Sequence, residues 1–79
     1  MILQQLSIAQ VAAWIKDDWK KVSPYAEPYL AAMRTLDTLD DHYGLDDGRS
    51  IVAYFLANAS GWKGPVAREI KAELNRRLK

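Results

Sequence analysis

Nine residues, "DDHYGLDDG" from Asp40 to Gly48, hold four aspartates, one histidine and two glycines. Carboxylates and an imidazole at this density are the raw material of a cation site or an acid/base centre. A calcium loop of the EF-hand type needs oxygen ligands at alternate positions, glycine sixth and glutamate twelfth. With Gly48 as sixth residue, the first, third and twelfth are Tyr43, Leu45 and Tyr54. With Gly44 as sixth, they are Leu39, Asp41 and Ser50. Neither register supplies a coordination shell. His42 is the single histidine, and the chain has no cysteine and no GxSxG serine for it to activate. The residues therefore predict no catalytic, metal or cofactor-binding site, and no enzyme. A weak divalent site at His42 is the remaining chemical reading. The favoured reading is a hinge between two helices. Asp37, Asp40 and Asp41 occupy a solvated helix end, and Asp46 or Asp47 caps the helix that follows.

Two other groups of residues could bind a partner. Trp14, Tyr43 and Trp62 fall on a stripe edge or in loops, where helical periodicity does not bury them. Exposed Trp and Tyr are enriched at binding hot spots, so these three form the candidate protein-binding surface. Arg68, Lys71, Arg76 and Lys79 lie in the C-terminal segment, where a basic helix face could track phosphates. They form the alternative, a nucleic-acid surface. Against it stand the acidic middle of the chain and a sequence pI near 8.0, low for a domain built to grip nucleic acid.

Charge is uneven along the 79 residues. Residues 1–22 carry a net +1, residues 23–50 a net −4 and residues 51–79 a net +4. The acidic and basic segments can pair within one fold or between two copies. A chain of this length forms one domain, and its core is near the lower size limit for stability. No disulfide can add to it, because Cys is 0. Apolar residues make up 49%, as in a globular chain. The charge-free run from Met1 to Ile15 is too short and too polar to span a bilayer, and it lacks the form of a signal peptide. The expected location is the cytoplasm.

The positioning elements read as helices. Ser7 and Gln10 have the spacing of a capping box, with Leu6 and Val11 placed as a hydrophobic staple. Ile8, Val11, Ile15, Trp19 and Val22 make one stripe, predicting a helix over 8–22. Pro24 and Pro28 end it. A second helix starts near Glu27 or Pro28 and frays through "LDTLDDHYG". A third follows Asp46 or Asp47. Its segment "IVAYFLANA" is apolar almost all round, which predicts a central, buried helix ended by Gly61. A fourth begins at Pro65, with Val66, Ile70, Leu74 and Leu78 facing inward and Arg68, Lys71, Asn75 and Lys79 outward. No sustained alternation or Asn-Gly turn predicts a strand. The expected fold is all-α, a compact three- to four-helix bundle of one domain with the 51–59 helix central.

"LSIAQVAAWI" resembles the opening helix of small winged or excisionase-like DNA binders. The turn that should follow is missing, since "KDDWKKV" reads as more helix. The segments "YAEPYLAAM", "HYGLDDGRSIVAYFLANA" and "W.G..AREIKAEL" resemble a set of short uncharacterised proteins predicted in bacterial and phage genomes. That resemblance spans roughly Trp14 to Leu78. It implies a small intracellular protein of possible mobile-element origin, and assigns no activity or site residue. The expected function is a protein-interaction module that binds another protein or forms a homodimer.

Overall fold

The computed structural model describes residues 3–79. A single 3-10 turn, Leu3–Gln5, precedes α1 (Ile8–Asp18), α2 (Glu27–Met33), β1 (His42–Tyr43), β2 (Asp46–Asp47), α3 (Gly48–Ala57) and α4 (Pro65–Leu78). Helix α1 begins as its sequence dictates. Ser7 Oγ accepts from the Gln10 amide at 3.1 Å, and Gln10 Oε1 accepts from the Ser7 amide at 2.8 Å. The next free amides of the first turn go elsewhere. Ile8 N donates to Asp37 O at 2.9 Å and Ala9 N to Leu36 O at 2.8 Å. The segment after α2 thus closes the N-terminus of α1, whose first-turn amides have no partner within the helix.

Helix α1 stops at Asp18, four residues short of the predicted end. Trp19 leaves helical geometry with ψ near 90°. Its ring stacks on Trp62 at 5.9 Å and meets Phe55 edge-on at 6.2 Å. A tertiary contact has overridden local helix propensity here, and Val22 is half-buried outside the helix. A turn therefore does follow "LSIAQVAAWI". Helix α2 begins only after residues 19–26, a longer connection than the three- or four-residue turn of a helix-turn-helix.

Helix α2 ends at Met33 and does not fray through the acidic stretch. Leu36 and Leu39 are buried in the irregular chain beyond it. Asp47 caps α3 through the Ser50 amide at 2.8 Å. Helix α3 ends at Ala57, before Gly61, where the Asn58 amide group turns back to donate to Tyr54 O at 2.8 Å. Helix α4 starts at Pro65 as predicted.

The core is shared among the helices. Ile8, Val11, Ala12 and Ile15 of α1 lie in it with Leu30 and Met33 of α2, Val52 and Phe55 of α3, and Ile70 and Leu74 of α4. Helix α3 touches α2, α4 and β2, but it is not buried all round. Ala53, Tyr54 and Ala57 face solvent, and Tyr54 rests on Tyr29 with ring centroids 5.6 Å apart. An apolar helix has been placed with one face out. The radius of gyration is 11.2 Å, close to the ~12 Å expected of a globular chain of this length. The fold is mostly helical but not purely α, because β1 and β2 pair as an antiparallel ribbon.

Candidate functional site

The ribbon is the part of "DDHYGLDDG" that sequence patterning missed. His42 pairs with Asp47 and Tyr43 with Asp46, which leaves Gly44 and Leu45 as a two-residue loop. Gly44 has φ of 63°, and Leu45 stays at negative φ. Positive φ at the first loop residue alone is the arrangement of a type II′ turn, which favours glycine there. The Gly-X pair was the available signal for a hairpin.

The base of the ribbon is tied to the helices. Asp41 O accepts from Gly48 N at 2.7 Å. The Asp41 carboxylate accepts from the amides of Asp37 at 2.7 Å and Thr38 at 3.0 Å. These amides, Thr38 first, hold the Asp41 carboxyl below its ordinary range. The Ser50 amide does the same for Asp47. Gly48 is needed for this closure, since a Cβ there would stand 2.8 Å from Leu39 O. Asp41 and Asp47 are thus structural acceptors. Among the described residues, no group of three or more His, Asp or Glu side chains is arranged to hold a metal ion.

At the tip the picture reverses. Leu45 is fully exposed, at 104% of its reference area, and Tyr43 is 50% exposed. Asp46, next to Leu45 in the chain, is exposed, and so is Asp40 beyond the ribbon base. Trp14 is 43% exposed on α1, beside a shallow hollow of about 190 Å³ with Ala13 and Asp17. Trp62, expected to face solvent, is a core residue only 2% exposed. The loop after α3 folds back over the helix ends and carries the ring with it. There Trp62 stacks on Trp19, meets Phe55 at 6.5 Å, and donates its Nε1–H to Asp18 Oδ2 at 2.9 Å. The three candidate aromatics are therefore not brought together.

The basic set is also divided. Lys71 turns inward, donating to Ala59 O at 2.8 Å and Trp62 O at 2.6 Å, with its Nζ 5.8 Å from the Trp62 ring centroid. It holds the ends of the loop before α4, so its expected place on an outer face is corrected. Arg76 grips Glu73 through Nε at 2.9 Å and Nη2 at 2.6 Å, and Arg77 Nε reaches the same carboxylate at 2.6 Å. These two guanidinium groups, Arg76 foremost, hold the Glu73 carboxyl down at about 2. Arg77 Nη2 also donates to Leu3 O, which anchors the N-terminal turn to α4. The spacing of Glu73, Arg76 and Arg77 was the sequence signal for this cluster. Arg68 and Lys79 are exposed. Among the described residues the ion pairs are Lys16–Glu27, Arg76–Glu73 and Arg77–Glu73. None joins the basic helix to the acidic segment 37–47.

A second feature lies at the start of α4. Trp62, Lys63, Gly64, Ala67, Arg68 and Lys71 line a hollow of about 300 Å³. Its floor is largely apolar and its rim is basic. No helix among the described residues is long and apolar enough to cross a membrane. The chain matches no protein-family model, no curated protein and no solved structure.

Proposed function

We propose that this chain is a small, non-enzymatic protein-interaction module that presents the tip of its β-ribbon to a protein partner or to a second copy. The observation that carries the reading is the full exposure of Leu45 beside the half-exposed Tyr43. The ribbon forms through its backbone and Gly44, so the Leu45 side chain adds nothing to the chain's own core. Burying it stabilises only a complex, by about 1.5–3 kcal/mol for a leucine. The helices, arranged as a bundle, serve as the scaffold that holds the tip. Trp14 is a second exposed aromatic that can extend the contact. In this reading the chain works in the cytoplasm of a bacterial or phage-infected cell, in keeping with the short proteins it resembles.

The nucleic-acid alternative has less support. Of Arg68, Lys71, Arg76 and Lys79, Lys71 is committed to carbonyls and Arg76 to Glu73. Two remaining cations make a weak phosphate track, because affinity for nucleic acid grows with the number of phosphates neutralised.

The test is a photo-crosslinking side chain at position 45, compared with one at Ala31, an exposed position on α2. Illumination in the cells that make the protein should give protein adducts from position 45 and few from position 31. Adducts to nucleic acid alone, or none above the position 31 control, would overturn the reading.

A further inference from the structure

We infer that the ribbon tip is received by a second copy of this chain, in the basic-rimmed hollow at the start of α4. This rests on the reading of the tip as the contact surface and adds the identity of its partner.

The two surfaces are complementary in shape and charge. The tip is an apolar knob, Leu45 and Tyr43, with the exposed Asp46 next to Leu45 in the chain. Among the described residues, the Asp46 carboxylate takes part in no hydrogen bond or ion pair, whereas Asp41 and Asp47 are occupied by backbone amides. The hollow, about 300 Å³, has Trp62 and Ala67 in its floor and Lys63 and Arg68 at its rim. Gly64, at its edge, takes a φ of 110° that favours glycine. A leucine side chain can enter while Asp46 meets the rim cations. Apolar burial then supplies affinity, and charge fixes orientation and excludes other partners.

A molecule cannot fill its own hollow. The ribbon runs directly into the first residue of α3, and the hollow begins in the loop that follows the last. The 10 residues of α3 separate these ends by about 15 Å at 1.5 Å per residue. Arg49, Arg76 and Arg77 are turned to other acceptors: Arg49 to Leu78 O, Arg76 to Glu73 and Arg77 to Glu73 and Leu3 O. Knob and hollow are different surfaces of one chain. Reciprocal docking gives a symmetric pair, and end-to-end docking gives rings or filaments.

Two variants separate the halves of the contact. Leu45→Asp spoils the knob and leaves the hollow intact. The double variant Lys63→Glu, Arg68→Glu spoils the hollow and leaves the knob intact. All three positions are exposed, and circular dichroism verifies that each variant folds. In sedimentation velocity, the wild-type protein should self-associate, less so in high salt because exposed charges are screened. Each variant alone should associate about tenfold or more weakly, the loss expected on removing a hot spot. Mixed in equal amounts, the two variants should form a one-to-one complex and nothing larger, since that pairing restores a single knob in a single hollow. A wild-type monomer at every concentration, a Leu45→Asp protein that still associates, or variants that do not pair when mixed would each overturn the inference. If position 45 nevertheless crosslinks to another protein, the interaction module stands and only the second copy falls. If it crosslinks to none, both fall.

Discussion

At the scale of single residues, two glycines make opposite predictions. Gly48 sits where the chain enters α3, and an added Cβ would lie 2.8 Å from Leu39 O and 3.1 Å from Asp41 O. Both neighbours are backbone and cannot rotate aside. Gly48→Ala should therefore lower stability by about 1–3 kcal/mol, as overpacking does. Gly61 has open space around it and no positive φ. Gly61→Ala should be neutral or stabilise by up to about 1 kcal/mol, by restricting the unfolded chain. Urea midpoints measure both. Glu73 makes the prediction on pH. Its carboxyl, held near 2 against an ordinary 4.5, contributes stability that is fully present above about pH 4.5 and is lost as pH falls towards 2. Glu73→Gln should cost about 1.5–3 kcal/mol near neutral pH, the worth of hydrogen bonds to a charged group. It should also flatten the stability profile below pH 5. An unchanged acid limb in that variant would place the acid sensitivity at other carboxylates.

At the scale of elements, Phe55 is the most informative position. It is fully buried and meets both Trp19 and Trp62. Phe55→Ala should cost about 3–5 kcal/mol, a large part of what so small a core supplies. Thermal unfolding should show little remaining transition. A near-normal melt would mean that α3 is not what holds the other helices together. Such packing marks the limit of what the sequence shows. The starts of α1 and α4 are legible because each is written locally, in Ser7 with Gln10 and in Pro65. The sequence narrows the α3 cap only to Asp46 or Asp47, and the Ser50 amide selects Asp47. The end of α1 is not legible, because Trp19 answers to Phe55 and Trp62, more than 30 residues away. For the same reason Trp62 read as a solvent-facing loop residue, and Lys71 as part of an outer basic face. The ribbon was missed because its turn is Gly-Leu, without asparagine, and its strands are too short for alternation. Tyr43 reads as a contact candidate from its type, but Leu45 does not, since an isolated leucine between Gly44 and Asp46 carries no periodic signal.

At the scale of the whole molecule, the acidic segment and the basic helix do not cancel through mutual ion pairs among the described residues. The carboxylates of 37–47 divide between two tasks. Asp41 and Asp47 hold the ribbon base and the α3 cap, while Asp40 and Asp46 stand in solvent. A calcium ion finds no clustered ligand set there, so melts in calcium and in chelator should coincide. A shift of more than a few degrees would mean that the segment closes around a cation. The acidic ribbon and the basic-rimmed hollow lie at opposite ends of α3, so opposite charge is separated along that helix.

The indole pair at the centre of the fold has an optical consequence. Trp19 and Trp62 lie nearly parallel, 14° apart, with centroids at 5.9 Å. Indoles held in one fixed packing contribute to the near-ultraviolet circular dichroism, a signal lost when side-chain packing loosens. The contribution of this pair depends on the loop before α4 staying closed over the end of α1. Trp14, 43% exposed on α1, takes no part in that stack. The chain therefore carries its own reporter of side-chain packing, and a state that keeps its helices but loses its packing would be visible without any added label.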